Sequence, residues 1–242
     1  MPIDTSQLPN KAPKYDLEEM LEAGCHFGHQ IRRWHPQMEE WIYMQKSGVH
    51  IFDLAKTAQQ LQHAYNYFYD LGQKGKTVVV LGTKRQAKDV VKKAAEENGV
   101  MYIVSRWLGG FMTNWSQISK SLNEMLKIED GLKSGFFDQY TKFERVQMDK
   151  KRGRLERFFG GIRDLKKIPD VIFVVDPVRE KNAVEEARTI GVPVIALADT
   201  DADPTLLDLI IPANDDSKRS IELIVTQVCE AYAAGKKASP KG

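Results

Sequence analysis

Two groups of residues in this chain have the types and spacing that chemistry needs. The first is acidic: Asp199, Asp201 and Asp203 lie between Ala198 and Pro204, and Asp215 and Asp216 follow Asn214. Imidazole together with carboxylates can hold zinc, magnesium or a similar divalent cation, which makes His29, Asp199 and Asp215 a candidate metal set. The alternative is structural, with Asp199, Asp203 and Asp215 accepting backbone hydrogen bonds in their loops and capping the last helix. The second group is Gly82-Thr83-Lys84-Arg85. At a strand-to-helix turn, its exposed N–H groups and two cations could hold a phosphate, whether of a nucleotide or of an RNA backbone.

Other enzyme signatures fail on position. Gly75-Lys76-Thr77 resembles the end of a phosphate-binding P-loop, but the earlier glycine would fall at Asp70, and the triplet precedes a strand when it should follow one. The chain contains no Gly-x-Gly-x-x-Gly fingerprint, no Gly-x-Ser-x-Gly elbow and no Cys-x-x-Cys pair. His26 and His29 could share one surface, and His35, His50 and His63 are scattered.

The elements that must position these groups alternate along the chain. Thr77 to Leu81, Val171 to Val175, Val194 to Leu197 and Leu209 to Ile211 are apolar runs without polar alternation, as expected of strands buried on both faces. A further strand is predicted at Val49 to Phe52. Helices are predicted from Asp16 to about Gly24, from the Asp53 cap to about Gln73, over Lys84 to Glu97, over Val178 to Ile190 and over Lys218 to Ala234. Thr83 and Gln86 have capping-box spacing for the third of these, and Asn98-Gly99 ends it. Strand, helix, strand order implies parallel pairing with crossovers on both faces, an α/β doubly wound sheet. Its strand carboxyl ends, where ligands usually sit, carry the acidic loops.

Between the two halves the pattern becomes purely helical. Ile118, Leu122, Met125, Leu126 and Ile128 form one stripe, Thr141 to Phe158 forms a second helix, and the turn falls near Gly131 to Gly135. Two antiparallel helices inserted into a sheet domain make a protruding hairpin. The predicted organisation is an N-terminal flexible extension over 1–15, an α/β domain over 16–113 and 168–234, a hairpin over 114–167, and a flexible tail over 235–242.

Charge singles out the same insertion. Residues 142–167 hold ten basic and four acidic side chains, a local charge of +6, so the rest of a chain of net charge +2 carries −4. Such a stretch is either an ordinary solvated helix face or a surface presented to polyphosphate. With 42% hydrophobic residues, the chain can bury a full core. Apolar runs such as Val192 to Ala198 are far shorter than the roughly 18 residues of a membrane helix, and no charged-then-apolar leader opens the chain, so a cytoplasmic location without membrane contact is expected. Cys25 and Cys229 are expected as free thiols. Trp41, Tyr43, Tyr65, Tyr67, Phe68 and Tyr69 are expected to supply packing area.

The most specific segment is Arg106-Trp107-Leu108-Gly109-Gly110-Phe111-Met112-Thr113-Asn114-Trp115, a cation, two indoles and two glycines in a stretch too apolar to lie uncovered. With Leu21 to Gln30, Val49 to Leu54, Gly82 to Arg85, Phe159 to Leu165 and Ile211 to Asp216, it makes the chain resemble the bacterial form of the small-subunit ribosomal protein S-two family, from Met20 to Val228. The resemblance implies a flavodoxin-like sheet with a coiled-coil hairpin and a structural role without catalysis. It implies binding to small-subunit ribosomal RNA, docking of the ribosomal protein S-one, contacts with neighbouring small-subunit proteins, and no required cofactor. The expected RNA contacts are Arg32, Arg33, Lys84, Arg85, Arg106, Trp107, Lys150, Lys151, Arg152, Arg154, Arg157 and Arg163, with Trp107 and Trp115 anchoring the glycine turn. The chain departs from the family pattern at Asp201, where members often carry Asn, and at Ser116, where many carry a basic residue. The competing reading is an enzyme binding a nucleotide or sugar phosphate above its strands. A third is an interaction module whose acidic body recruits a protein.

Overall fold

The computed structural model describes residues 3–5 and 8–239. The elements run α1 (Leu17–Glu22), β1 (Phe27–Gln30), β2 (Ile42–Lys46), β3 (Val49–Phe52), α2 (Leu54–Gln73), β4 (Val78–Leu81), α3 (Lys88–Asn98), β5 (Met101–Ile103), α4 (Trp115–Lys133), α5 (Lys142–Phe159), β6 (Val171–Val175), α6 (Lys181–Ile190), β7 (Val194–Ala198), β8 (Leu209–Pro212) and α7 (Lys218–Lys237). The second half of the chain supplies most of a five-stranded parallel sheet of order β5-β4-β6-β7-β8. Counted within that sheet the order is 2-1-3-4-5, so the chain reverses direction between β4 and β6. Every residue of β4, β6, β7 and β8 is buried, as their unbroken apolar runs require.

Two apolar layers cover the sheet. On one face α2, α3 and α7 pack around Phe68, Val80, Phe173 and Ile224. On the other, α6 and the root of α4 pack around Ile172, Val174, Leu122 and Met125. α2 and α7 approach backbone to backbone: a Cβ on Gly235 would lie 1.9 Å from the Tyr69 carbonyl, and one on Gly72 would lie 2.2 Å from that of Tyr232. No helix among the described residues is long and apolar enough to cross a membrane.

Local chemistry sets several boundaries. Asp16 caps α1 and Asp53 caps α2 by accepting the N–H two residues on. Gly99 ends α3 in the left-handed conformation, at φ +62. Thr141 and Glu144 form a complete capping box at the start of α5.

The expectation for α3 is corrected. It begins at Lys88 with no side-chain cap, because the Thr83 N–H and hydroxyl both donate to Glu180 across the switch point. The helix after β6 likewise starts at Lys181, three residues beyond the predicted Val178. β1, β2 and β5 were not expected. β1 and β2 flank β3 in a small antiparallel sheet, order β1-β3-β2, and β5 forms the edge of the main sheet beside β4.

Described residues within the expected N-terminal extension make contacts with the domain. The Ile3 N–H donates to the Asp208 carbonyl at 3.2 Å, and the Lys11 and Ala12 N–H groups both donate to Asn66 Oδ1. α7 continues through Lys237, into the stretch expected to be the tail. Cys25 and Cys229 are buried free thiols.

Candidate nucleic-acid interface and strand-end crevice

The crevice above the strand ends is filled by the chain's own charges. Lys84, on the loop after β4, places Nζ 2.6 Å from Asp215 Oδ1, 2.6 Å from Asp216 Oδ1 and 3.1 Å from Asp176 Oδ2. Burial works against the ammonium, but Asp215, Asp216 and Asp176 outweigh it and hold Lys84 well above the ordinary lysine range. Lys84, expected as an RNA contact, is thus buried and engaged by three carboxylates of the chain itself. Beside it, Thr83 is bonded to Glu180, and the Arg179 Nε–H donates to the Thr83 hydroxyl at 3.3 Å. These groups occupy the switch point between β4 and β6, where a small ligand would sit.

The candidate metal set comes together next to this network. His29, Asp199 and Asp215 each offer a ligand atom, and these atoms all lie within 4.8 Å of one another. Their existing partners are internal. His29 Nδ1 lies 3.0 Å from Asp199 Oδ2, while Asp199 Oδ1 accepts the backbone N–H groups of His29 and Thr200. The hydrogen bond to Asp199 raises the His29 imidazole to about 9 against the opposing effect of burial. Burial, then Asp176 and Asp199, push Asp215 up to about 8. Asp199 and Asp203 thus hold loops as the structural alternative anticipated, Asp203 by accepting the Thr205 N–H. Asp215 does not cap the last helix; Ser217 does.

The Arg106 to Trp115 segment follows β5 and is organised by one residue, Glu186 of α6. Its carboxylate accepts the Trp107 indole N–H at 3.0 Å, the Gly110 N–H at 2.8 Å, the Met112 N–H at 3.0 Å and the Thr113 N–H at 3.4 Å. Gly110 takes φ +83, which an L side chain rarely adopts. Trp107 packs on Phe111 with ring centroids 4.6 Å apart, and Phe111 meets Trp115 edge-on at 5.9 Å. Trp107 is buried, so it anchors the turn and offers no stacking face, while Arg106 beside it is exposed. Sequence reasoning missed Glu186. Its only trace is a position between Ala183 and Ala187, at the border of the buried stripe of α6.

The six cations expected to act on the hairpin divide into two sets. Lys151 pairs with Glu124, Arg152 with Asp149 at 3.0 Å, and Arg163 with both Glu129 and Glu156. Lys150, Arg154 and Arg157 are exposed and make no ion pair among the described residues. Their spacing of four and three residues sets them on one side of α5. Gly153 lies on that side with nothing within 4 Å of where a Cβ would be, and Phe143 and Val146 continue the stripe outward.

Arg85 is exposed on the turn before α3, and Arg32 and Arg33 are exposed on a short helical turn after β1. Arg33 lines a cavity with His29, Asp199 and Asp216. The small sheet adds a feature the sequence did not suggest: with α1 it bounds a groove of about 800 Å³. Leu17, Leu21, Phe27, Tyr43 and Met44 line it and are all exposed. Tyr43, expected to pack, is 72% exposed.

A doubly wound sheet whose strand-end crevice is filled by the chain's own charged side chains, with two adjoining helices that bear exposed cations, defines a binding scaffold. Comparison with known proteins agrees. The family model described as "Ribosomal protein S2" matches residues 20–235. A protein of Geotalea uraniireducens named "Small ribosomal subunit protein uS2" is 42% identical over 222 residues, 92% of this chain and 87% of that protein. One of the same name from Oenococcus oeni is 42% identical over 226 residues, 93% of this chain and 87% of its own length. The chain belongs to the ribosomal protein S-two family and is a structural protein, not an enzyme.

Proposed function

We propose that the chain is a structural constituent of the small ribosomal subunit, which it joins by gripping folded ribosomal RNA with the outer face of its helical hairpin. The observation that carries this reading is the separation of charge along α5 and the turn after it. Lys151, Arg152 and Arg163 are ion-paired within the hairpin, while Lys150, Arg154 and Arg157 are exposed and make no ion pair among the described residues. Structured RNA is recognised mainly through backbone geometry and 2′-hydroxyls, and such contacts come from cations fixed on a rigid element. Gly153 lets a phosphate approach the helix between them. Arg106 and Arg85 are further phosphate contacts, and a coiled-coil continuation of the α4 and α5 packing would hold the cation spacing. Replacing Lys150, Arg154 and Arg157 with alanine should abolish co-sedimentation with small subunits that lack this protein, with circular dichroism unchanged. Retained co-sedimentation would refute the reading.

Docking of the ribosomal protein S-one and contacts to neighbouring small-subunit proteins belong to the same proposal. The apolar groove between α1 and the small sheet supports a protein partner there, because exposed aromatic and aliphatic side chains in one concave surface favour an apolar anchor. Phe27→Ala with Tyr43→Ser should weaken capture of purified S-one at least about tenfold, without affecting association with RNA.

A second reading concerns the crevice. Asp176, Asp199, Asp201, Asp215 and Asp216 outnumber Lys84 and His29, and this excess favours a divalent cation, zinc or magnesium, held by His29, Asp199 and Asp215. His29 would have to give up its Nδ1 proton. Elemental analysis after purification without chelator should find one equivalent of metal, and a metal-free result would end this reading.

A further inference from the structure

We infer that Glu186 is the positioning residue of the RNA-binding surface, locking Arg106 and the root of the hairpin in place from the opposite half of the chain. The inference rests on the RNA reading above. One carboxylate takes four N–H donors spread over seven residues, from the Trp107 indole to the Thr113 backbone. None of these four donors has another acceptor among the described residues, and the loop carries no helix or strand. The Thr113 hydroxyl approaches the same carboxylate at 3.4 Å.

The two ends of this loop are the parts the RNA reading uses. Arg106 precedes Trp107 directly, and α4 begins at Trp115, two residues after Thr113. The α4 cap, Asn114, makes no side-chain capping bond, so beside the packing of Ile118, Leu122 and Met125 on the sheet the helix start relies on what fixes the residues before it. Glu186 reaches them from α6, whose Ala183, Val184 and Ala187 are buried against the sheet. A rigid helix thereby transmits the position of the sheet to the loop. Burial opposes the charge on Glu186, but the bonds from Met112, Trp107, Gly110 and Thr113 outweigh it and hold the carboxyl below its usual range.

The sign of one substitution separates positioning from simple electrostatics. Glu186→Ala removes a negative charge near an RNA-binding surface, and Coulomb attraction alone would tighten binding. Loss of a positioning residue weakens it. The experiment measures affinity for small subunits depleted of this protein, at several salt concentrations, for Glu186→Ala, Glu186→Gln, Arg106→Ala and the Glu186→Ala/Arg106→Ala double variant. Glu186→Gln keeps the size and one acceptor, so it serves if the alanine variant fails to fold.

The expected result is weakening of about tenfold or more for Glu186→Ala. Hydrogen exchange at Gly110, Met112 and Thr113 should quicken, and the double variant should lose less than the two single losses combined. Unchanged or tighter binding in folded Glu186 variants, or weakening with amide exchange unaltered, would overturn the inference. An Arg106→Ala variant with full affinity would instead count against the RNA role of Arg106, and the Glu186 variants would then report on the hairpin root alone.

Discussion

Lys84 and Asp215 meet at 2.6 Å although 131 residues separate them in sequence, and their contact closes the crevice where a doubly wound sheet ordinarily takes its ligand. Both side chains are buried. Removing one partner of a buried ion pair leaves the other charge uncompensated, which costs about 3–5 kcal/mol. Lys84→Met should lower stability by that amount in urea unfolding. The Lys84→Met/Asp215→Asn double variant should recover a substantial part. A loss below about 1 kcal/mol for the single variant would show that the network is not structural.

The same network predicts a pH dependence in chelated buffer. His29 carries a folded-state value above its unfolded one, at about 9. Between about pH 6.5 and 9 the folded protein therefore holds more protons at His29 than the unfolded chain does. Stability must fall as pH rises from about 6.5 through 9. A melting series from pH 6.5 to 9 should show decreasing Tm, and His29→Gln should flatten it. A Tm that climbs over this range contradicts the assignment.

The helix contact between α2 and α7 gives a prediction opposite to propensity. Alanine favours an exposed helix interior over glycine by about 1 kcal/mol, yet the added Cβ at Gly235 would lie 1.9 Å from the Tyr69 carbonyl. The helices must separate, and overpacking of this kind costs about 1–3 kcal/mol or more. Gly235→Ala should lower the denaturation midpoint, and a raised midpoint would mean that α7 can move aside freely.

How far the sequence revealed these features depends on the range of the interaction involved. β4, β6, β7 and β8 were legible because burial on both faces leaves a continuous apolar run. β1 and β2 were not, because Phe27–Gln30 and Ile42–Lys46 are short and partly polar, and only pairing with β3 makes them strands. β5 is a three-residue edge. Arg106 was legible as a candidate because it adjoins an unusual glycine turn. The clamp on that turn was not, since Glu186 lies 73 residues or more from every donor it holds. Lys84 had the same problem in reverse: a cation at a phosphate-binding position looked available until the distant acids were in place.

Salt dependence tests the division of the hairpin cations. Neutralising about five phosphates gives a log-log slope of affinity against salt of roughly −3 to −5. Replacing Lys150, Arg154 and Arg157 should make the slope shallower by about 2 to 3, whereas replacing Lys151, Arg152 and Arg163 should change it little. Equal changes from both sets would mean that the internal ion pairs open on binding.

A cryo-electron map of the native small subunit reads the central claim without any variant. The Lys150, Arg154 and Arg157 side of α5 should lie within ion-pair distance of ribosomal RNA phosphates, with backbone close to Gly153. A map in which that side of the helix faces open solvent, or only protein, would contradict it.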